Sequence, residues 1–161
     1  MPGQMPTPGS AAPGFEANDQ HGAAIRLAGL TGKWVVLYFY PKDNTPGCTK
    51  EACSFRDAND ELADAGALVL GVSGDSATSH EKFAGEFKLP FSLLVDKDHT
   101  IARAYGAWGL KKNYGREYEG IIRSTFLIGP GGTVAKVWPR VKPADHGEEV
   151  LAWLKQNASS S

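Results

Sequence analysis

The sequence predicts one α/β domain: a mixed central β-sheet with helices on both faces and a hairpin at the N-terminus. Three observations carry this. Residues 34–40 and 67–73 are apolar runs without alternation, so each reads as a central strand covered on both faces. Residues 46–65 between them read as a helix, and strand, helix, strand in sequence is a βαβ unit with parallel pairing and a right-handed crossover. Further on, residues 124–128 and 133–138 flank Gly129-Pro130-Gly131-Gly132, the pattern of an antiparallel hairpin.

The elements follow in order. Pro2, Pro6, Pro8 and Pro13 punctuate the first residues, and 1–12 read as a flexible arm. Residues 15–17 and 24–27 flank a polar tip at 18–22 and form the N-terminal hairpin. Pro41 ends the first central strand, because it has no N–H for the ladder. Pro46 suits the first helical position, Thr45 is placed to cap, and Gly66 closes the helix. Residues 79–87 are helical, with Phe83 and Phe87 one turn apart on one face, and Leu89-Pro90 breaks them. Residues 91–95 read as a short strand and 100–105 as a short helix. Residues 106–120 are Gly-rich, of mixed charge, and read as a surface excursion. A closing helix spans 143–156, and 157–161 fray.

Composition narrows the function. The 161 residues make one domain long enough to bury a core without a disulfide or a structural metal. A net charge of −1 argues against a nucleic-acid or anionic-membrane binder. No apolar run approaches the roughly 18 residues of a membrane span. The N-terminal stretch lacks the basic-then-apolar pattern of a secretory signal, so the expected location is cytoplasmic. His21, His80, His99 and His146 show no ligand spacing with one another or with the cysteines, and no metal or cofactor is expected.

Chemistry concentrates at Cys48 and Cys53, the two cysteines of the chain. Cys48 falls in the first turn of the predicted helix. Free N–H groups and the positive end of the helix dipole there favour a thiolate, the nucleophilic form, over the roughly 3% ionised at neutral pH in an unperturbed thiol. Thr45, three residues earlier, brings its hydroxyl towards the sulfur if it caps the helix. Cys53 admits two readings, a small buried hydrophobe or a redox partner. On an intact helix, Cα atoms five residues apart are about 8 to 9 Å apart. A disulfide needs about 7 Å or less, so a bond between the two requires the first turns to unwind. Gly47 and Thr49 are weak helix formers, which favours such loosening.

The string Pro41-x-x-x-Thr45-x-x-Cys48 resembles the active-site signature of peroxiredoxins. The longer run through Glu51-Ala52-Cys53 is similar to the bacterioferritin comigratory protein, or peroxiredoxin Q, subfamily. Leu70-Gly71-Val72-Ser73-x-Asp75-Ser76, Ser79-His80-x-x-Phe83, Leu89-Pro90-Phe91 and Arg123-Ser124-Thr125-Phe126 extend the likeness over roughly residues 12 to 155. The resemblance implies a thioredoxin-like fold and a monomeric thiol peroxidase without a cofactor, acting on hydrogen peroxide and organic hydroperoxides. It implies that Cys48 becomes a sulfenic acid, that Cys53 closes a disulfide with it, and that thioredoxin or a similar dithiol protein reduces the bond. It also implies that Thr45 and the Cys48 N–H hold the peroxide, that Arg123 stabilises developing charge, and that Pro41 shields the sulfur. Glu51 reads as the group that orients an arginine, or as an ordinary helix charge. Some relatives carry the resolving cysteine on the helix after the second strand, where this chain has none.

Two other functions compete. A thiol–disulfide oxidoreductase is disfavoured, since such enzymes use a C-x-x-C that closes without unwinding. A redox switch, read by a partner protein when the helix loosens, would show the same motif.

Overall fold

The two apolar runs lie side by side at the centre of a five-stranded sheet. The computed structural model describes residues 5–113 and 115–157, with Lys112 and Asn113 through their backbone alone. Residues 1–4 of the expected arm and 158–161 of the expected frayed tail lie outside the described residues. A short hairpin, β1 (Glu16–Asn18) and β2 (Ala24–Arg26), precedes β3 (Trp34–Phe39), α1 (Pro46–Asp64) and β4 (Ala67–Ser73). Then come α2 (Ala77–Phe87), β5 (Ser92–Val95), α3 (Thr100–Ala104), β6 (Trp108–Asn113) and β7 (Arg116–Ile121). The chain ends in β8 (Ser124–Ile128), β9 (Val134–Trp138) and α4 (His146–Asn157).

Strand order in the main sheet is β5-β4-β3-β8-β9. β3, β4 and β5 run parallel, whereas β8 is antiparallel to β3 and β9 to β8. This is the thioredoxin-like arrangement. Alternate residues of the central strands feed two cores. Val36, Tyr38 and Val69 meet α1, α2 and α4 through Phe55, Leu62, Phe83, Val150 and Leu154. Val35, Leu37, Phe39, Leu70 and Val72 meet α3 and its surroundings through Ile101, Ala102, Tyr105 and Ile121. Burial on both faces is why neither run alternates. Gly71 interrupts β4 because the Tyr38 ring lies over it: a Cβ there would come within 2.9 Å of the ring.

Four segments differ from the sequence reading, one being the closing helix, which starts at His146 after a turn at 143–145 rather than at Pro143 and still includes Asn157, expected to fray. Residues 106–120 contain an ordered antiparallel pair, β6 and β7, in register from Trp108–Ile121 to Asn113–Arg116. Its polar, glycine-containing strands carry little apolar alternation, so periodicity did not mark it. Part of the expected arm is held. Gly9 and Ala12 N–H groups donate to the Val134 and Gly132 carbonyls at 2.8 and 2.9 Å, and Val134 N–H donates to Ser10 at 2.9 Å. The first central strand ends at Phe39, although Tyr40 N–H still donates to the Val72 carbonyl at 3.1 Å. Each sheet edge is covered in part. Residues 9–12 bond to residues 132–134 at the start of β9, and Gln20 of the N-terminal hairpin tip meets β5, with its carbonyl accepting from Leu93 N–H at 2.8 Å.

Helix α4 crosses α1 so closely that Gly147 has no room for a side chain. A Cβ there would stand 2.4 Å from the Ser54 carbonyl oxygen, and Gly147 N–H donates to Ser54 Oγ at 2.6 Å. Gly147→Ala is expected to separate the helices and lower stability by about 2 kcal/mol or more. Urea unfolding of the reduced protein checks this: the midpoint falls while the slope holds.

Candidate active site

The site forms at the carboxyl ends of the parallel strands, where β3 leads through residues 40–45 into α1. Pro41 stands exposed at the start of this turn. Asn44 takes a left-handed backbone, φ 61, and sets the direction in which the helix begins. Pro46, Gly47 and Cys48 make up its first turn. Cys48 is buried, at 1% exposure.

The expected cap is not made. Thr45 has the backbone of an N-cap, but its hydroxyl donates to the Lys42 carbonyl at 3.0 Å rather than accepting from the helix. The left-handed step at Asn44 folds the loop back, so Lys42 lies nearer the hydroxyl than the helix does. Among the described residues no side chain accepts from the Gly47 or Cys48 N–H, which are left as donors at the helix start.

Arg123 comes from the other side. Phe39 pairs with Ser124, so the residue preceding β8 stands beside the end of β3. Its Nη2 donates to Cys48 Sγ at 3.3 Å, and its Nη1 donates to Glu51 Oε1 at 2.7 Å. Gly47 leaves room for the guanidinium, which would lie 3.1 Å from a Cβ at that position. Cys48 and Glu51 are three residues apart on α1 and so face the same way. The structure thus brings together Cys48, Arg123 and Glu51. It places Thr45 and Pro41 on the adjoining loop. Cys53, half-buried, is five residues along an unbroken helix, and both thiols are free.

Electrostatics divide the three groups. Glu51 is fully buried, and burial lifts its carboxyl to about 7 even though Arg123 pulls the other way. Burial works against the Arg123 charge, but Glu51 and Cys48 together hold its pKa above the usual value. Lys111, on β6, is pulled down by burial and by the Arg123 charge, with the sulfur opposing. It donates to the Ile121 carbonyl at 2.8 Å and, with Leu110, Ile122, Arg123, Arg140 and Val141, lines a cleft of about 540 Å³. Sequence reasoning gave Lys111 no role, because nothing marked residues 106–120 as part of the site.

A buried cysteine at a helix start, faced by an arginine on a thioredoxin-like sheet, is the apparatus of a thiol enzyme. The sequence profile of the AhpC/TSA family matches residues 8–137. Peroxiredoxin Bcp of Bacillus subtilis is 51% identical over 147 residues, which cover 91% of this chain and 94% of that one. Peroxiredoxin Bcp of Escherichia coli K12 is 43% identical over 150 residues, 93% of this chain and 96% of that one. Among solved structures, the bacterioferritin comigratory protein of Xanthomonas campestris superposes with a TM-score of 0.85 at 42% identity, over 89% of this chain and 92% of that one. The chain belongs to the AhpC/TSA family as a peroxiredoxin of the Bcp or peroxiredoxin Q kind. It is a thiol peroxidase, and its substrate is peroxide. Among the described residues, no helix is long and apolar enough to cross a membrane.

The Glu51 shift gives a signed prediction. Its folded value of about 7 lies above the ordinary 4.5, so the folded state binds the proton more tightly than the unfolded chain. Its favourable contribution is complete below about pH 4.5 and is lost as pH rises through about 7. Between those limits the reduced wild type is expected to lose roughly 2–3 kcal/mol relative to Glu51→Gln. Urea unfolding at a series of pH values checks it, and stability curves that stay parallel would overturn it.

Proposed function

We propose that Cys48 is the peroxidatic residue and Cys53 the resolving one. The Cys48 thiolate attacks one peroxide oxygen, the O–O bond breaks, and the departing oxygen takes a proton to leave as water or alcohol. Cys48 is left as a sulfenic acid. The Cys53 thiol then attacks the Cys48 sulfur, water departs and a disulfide forms. A dithiol reductant such as thioredoxin returns both thiols by exchange.

The observation that carries this reading is the guanidinium of Arg123, which spans Cys48 and Glu51 beside uncapped N–H donors. The cation stands where negative charge passes from sulfur to the departing oxygen, and the Cys48 N–H is free to bind the other oxygen. Glu51 fixes the guanidinium by its second N–H. Thr45 turns its hydroxyl from Lys42 to the peroxide when substrate enters, and Pro41 keeps water from the sulfur at the loop's outer side. The cleft beside Arg123 has an apolar wall in Leu110, Ile122 and Val141 and admits an alkyl group as well as hydrogen peroxide. The related Xanthomonas protein is described through its alkyl peroxide reduction activity. Helix α2 carries no cysteine, and both thiols stand on α1, so a monomer suffices for the cycle. We place it in the cytoplasm, where dithiol proteins are kept reduced.

Intact mass after one equivalent of peroxide tests the assignment. The wild type is expected to lose two hydrogens, Cys53→Ser to gain oxygen after a single reaction, and Cys48→Ser to stay unchanged and consume no peroxide. Continued turnover of wild type with excess peroxide and a thioredoxin system separates a catalyst from a single-use switch. Normal cycling of Cys53→Ser with thioredoxin alone would remove Cys53 from the mechanism.

A further inference from the structure

The loop that leads into Cys48 is tied down by a polar network the peroxide chemistry does not use. Asp43, five residues before the sulfur, is buried. Tyr40 Oη donates to its Oδ1 at 2.6 Å, and Ser79 Oγ donates to its Oδ2 at 2.8 Å. His80 is fully buried, with Nδ1 2.7 Å from Asp43 Oδ2 and Nε2 2.9 Å from the Leu94 carbonyl. A carbonyl only accepts, so Nε2 carries a proton there, and Nδ1 meets the carboxyl across a second hydrogen bond. The Asp43 main chain is held too: its N–H donates to Asp75 Oδ2 at 2.8 Å, and that oxygen also accepts from Ser73 Oγ at 2.7 Å. The loop is thus fastened to β5 through His80 and Leu94, to α2 through Ser79 and His80, and to the end of β4 through Ser73 and Asp75.

Asn44, the next residue, is left-handed, a conformation that asparagine takes more readily than other non-glycine residues and that turns the chain into the helix. One neighbour is the anchored Asp43; the other is the helix start. Downstream, Ser54 is fixed by Gly147 N–H, and Phe55 is fully buried. Two anchors, at Asp43 and Ser54, therefore bracket residues 44–53, the stretch that holds both cysteines.

We infer that Asp43 and His80 are positioning residues that set the balance between two forms of this stretch: closed, with Cys48 against Arg123, and loosened, with Cys48 able to reach Cys53. The inference rests on the Cys48–Cys53 disulfide proposed above. In the closed form the anchor holds the chain at Asp43 and so aims the first turn of α1 at Arg123. Once the anchor gives way, the first turn is free to swing. Bonds made in one form and absent in the other shift the population by their full differential strength. Because the closed form dominates, weakening the anchor multiplies the loosened fraction while scarcely reducing the closed one.

Stopped-flow oxidation of wild type, Ser79→Ala and His80→Gln tests this by resolving two steps, peroxide-dependent oxidation of Cys48 and the disulfide formation that follows. Ser79→Ala, which removes one donor to Asp43, is expected to speed disulfide formation roughly two- to fivefold, with oxidation slowed less than about twofold. His80→Gln is expected to speed disulfide formation about tenfold or more and to resist over-oxidation at higher peroxide. A role in stability alone would lower the unfolding midpoint and leave the disulfide step unchanged. A measurement on wild type stands independently of how the variants fold: the Asp43 main-chain N–H, held by Asp75 Oδ2 in the reduced protein, is expected to exchange with solvent at least about tenfold faster in the disulfide form. A wild type that forms the disulfide while its variants keep the wild-type disulfide rate, or an Asp43 N–H that stays equally protected, overturns the inference and leaves the disulfide intact. A wild type that forms no Cys48–Cys53 disulfide overturns both.

Discussion

One guanidinium stands between two groups of opposite tendency. Arg123 donates from one nitrogen to a sulfur and from the other to a carboxyl that burial presses towards its neutral form. The first turn of α1 is joined to the end of the sheet through this side chain. Without it, Glu51 would be a buried acid with no cation, and such groups are strongly destabilising when their partner is removed. The same removal would take from the sulfur the one guanidinium that donates to it. Stability of the helix start and provision for anionic chemistry are in this place a single interaction.

Strand register fixes where that interaction falls. β3 pairs in parallel with β4 and antiparallel with β8, and Phe39 lies opposite Ser124. Arg123 is thereby set beside the turn at Pro41. A slip of one residue between β3 and β8 would send Arg123 to the opposite face, away from α1. Packing that seems remote protects this register. Phe39 and Phe126 meet edge to face, Phe39 and Tyr105 pack on the α3 side, and Tyr38 stacks on Phe55 of α1 with ring centroids 4.7 Å apart. The core thus carries the alignment of a site whose own atoms are few.

Much of this was legible in the sequence, and the exceptions have physical causes. Continuous apolar runs, Gly66 at a helix end and a glycine-rich turn before β9 are local signals, and the structure has the expected elements there. Cys48 at a helix start was equally local. Arg123 was selected by resemblance; its reach to Cys48 depends on the pairing of β3 with β8, which no single stretch encodes. Asp43 and His80 were in view as residues, but the bonds between them cross from the β3 loop to α2, and composition does not signal that contact. The hairpin at β6 and β7 was hidden because its polar strands lack alternation, and Lys111 was hidden with it. Thr45 followed a sound capping rule, yet the left-handed step at Asn44 redirected its hydroxyl. Residues 9–12 read as loose because their hydrogen bonds come from backbone alone, which leaves no mark in side-chain pattern.

The start of α1 answers two demands that conflict. Intact, it joins Cys48, Glu51 and Arg123. In the proposed cycle it must also loosen, since Cys48 and Cys53 are too far apart on a regular helix to bond. Glu51 lies between the two cysteines, so in that cycle the turn that releases Cys48 would also draw Glu51 from its buried position towards water. A carboxylate is at ease there and strained where it was. The buried acid therefore opposes the closed form whenever it is charged, while Arg123 and the Asp43 anchor favour it. A helix start held by one cation and one anchored loop, and opposed by its own carboxylate, favours the closed form by less than its contacts alone would give. That narrower margin is what a cysteine needs if it is to meet peroxide in one shape and its partner thiol in another.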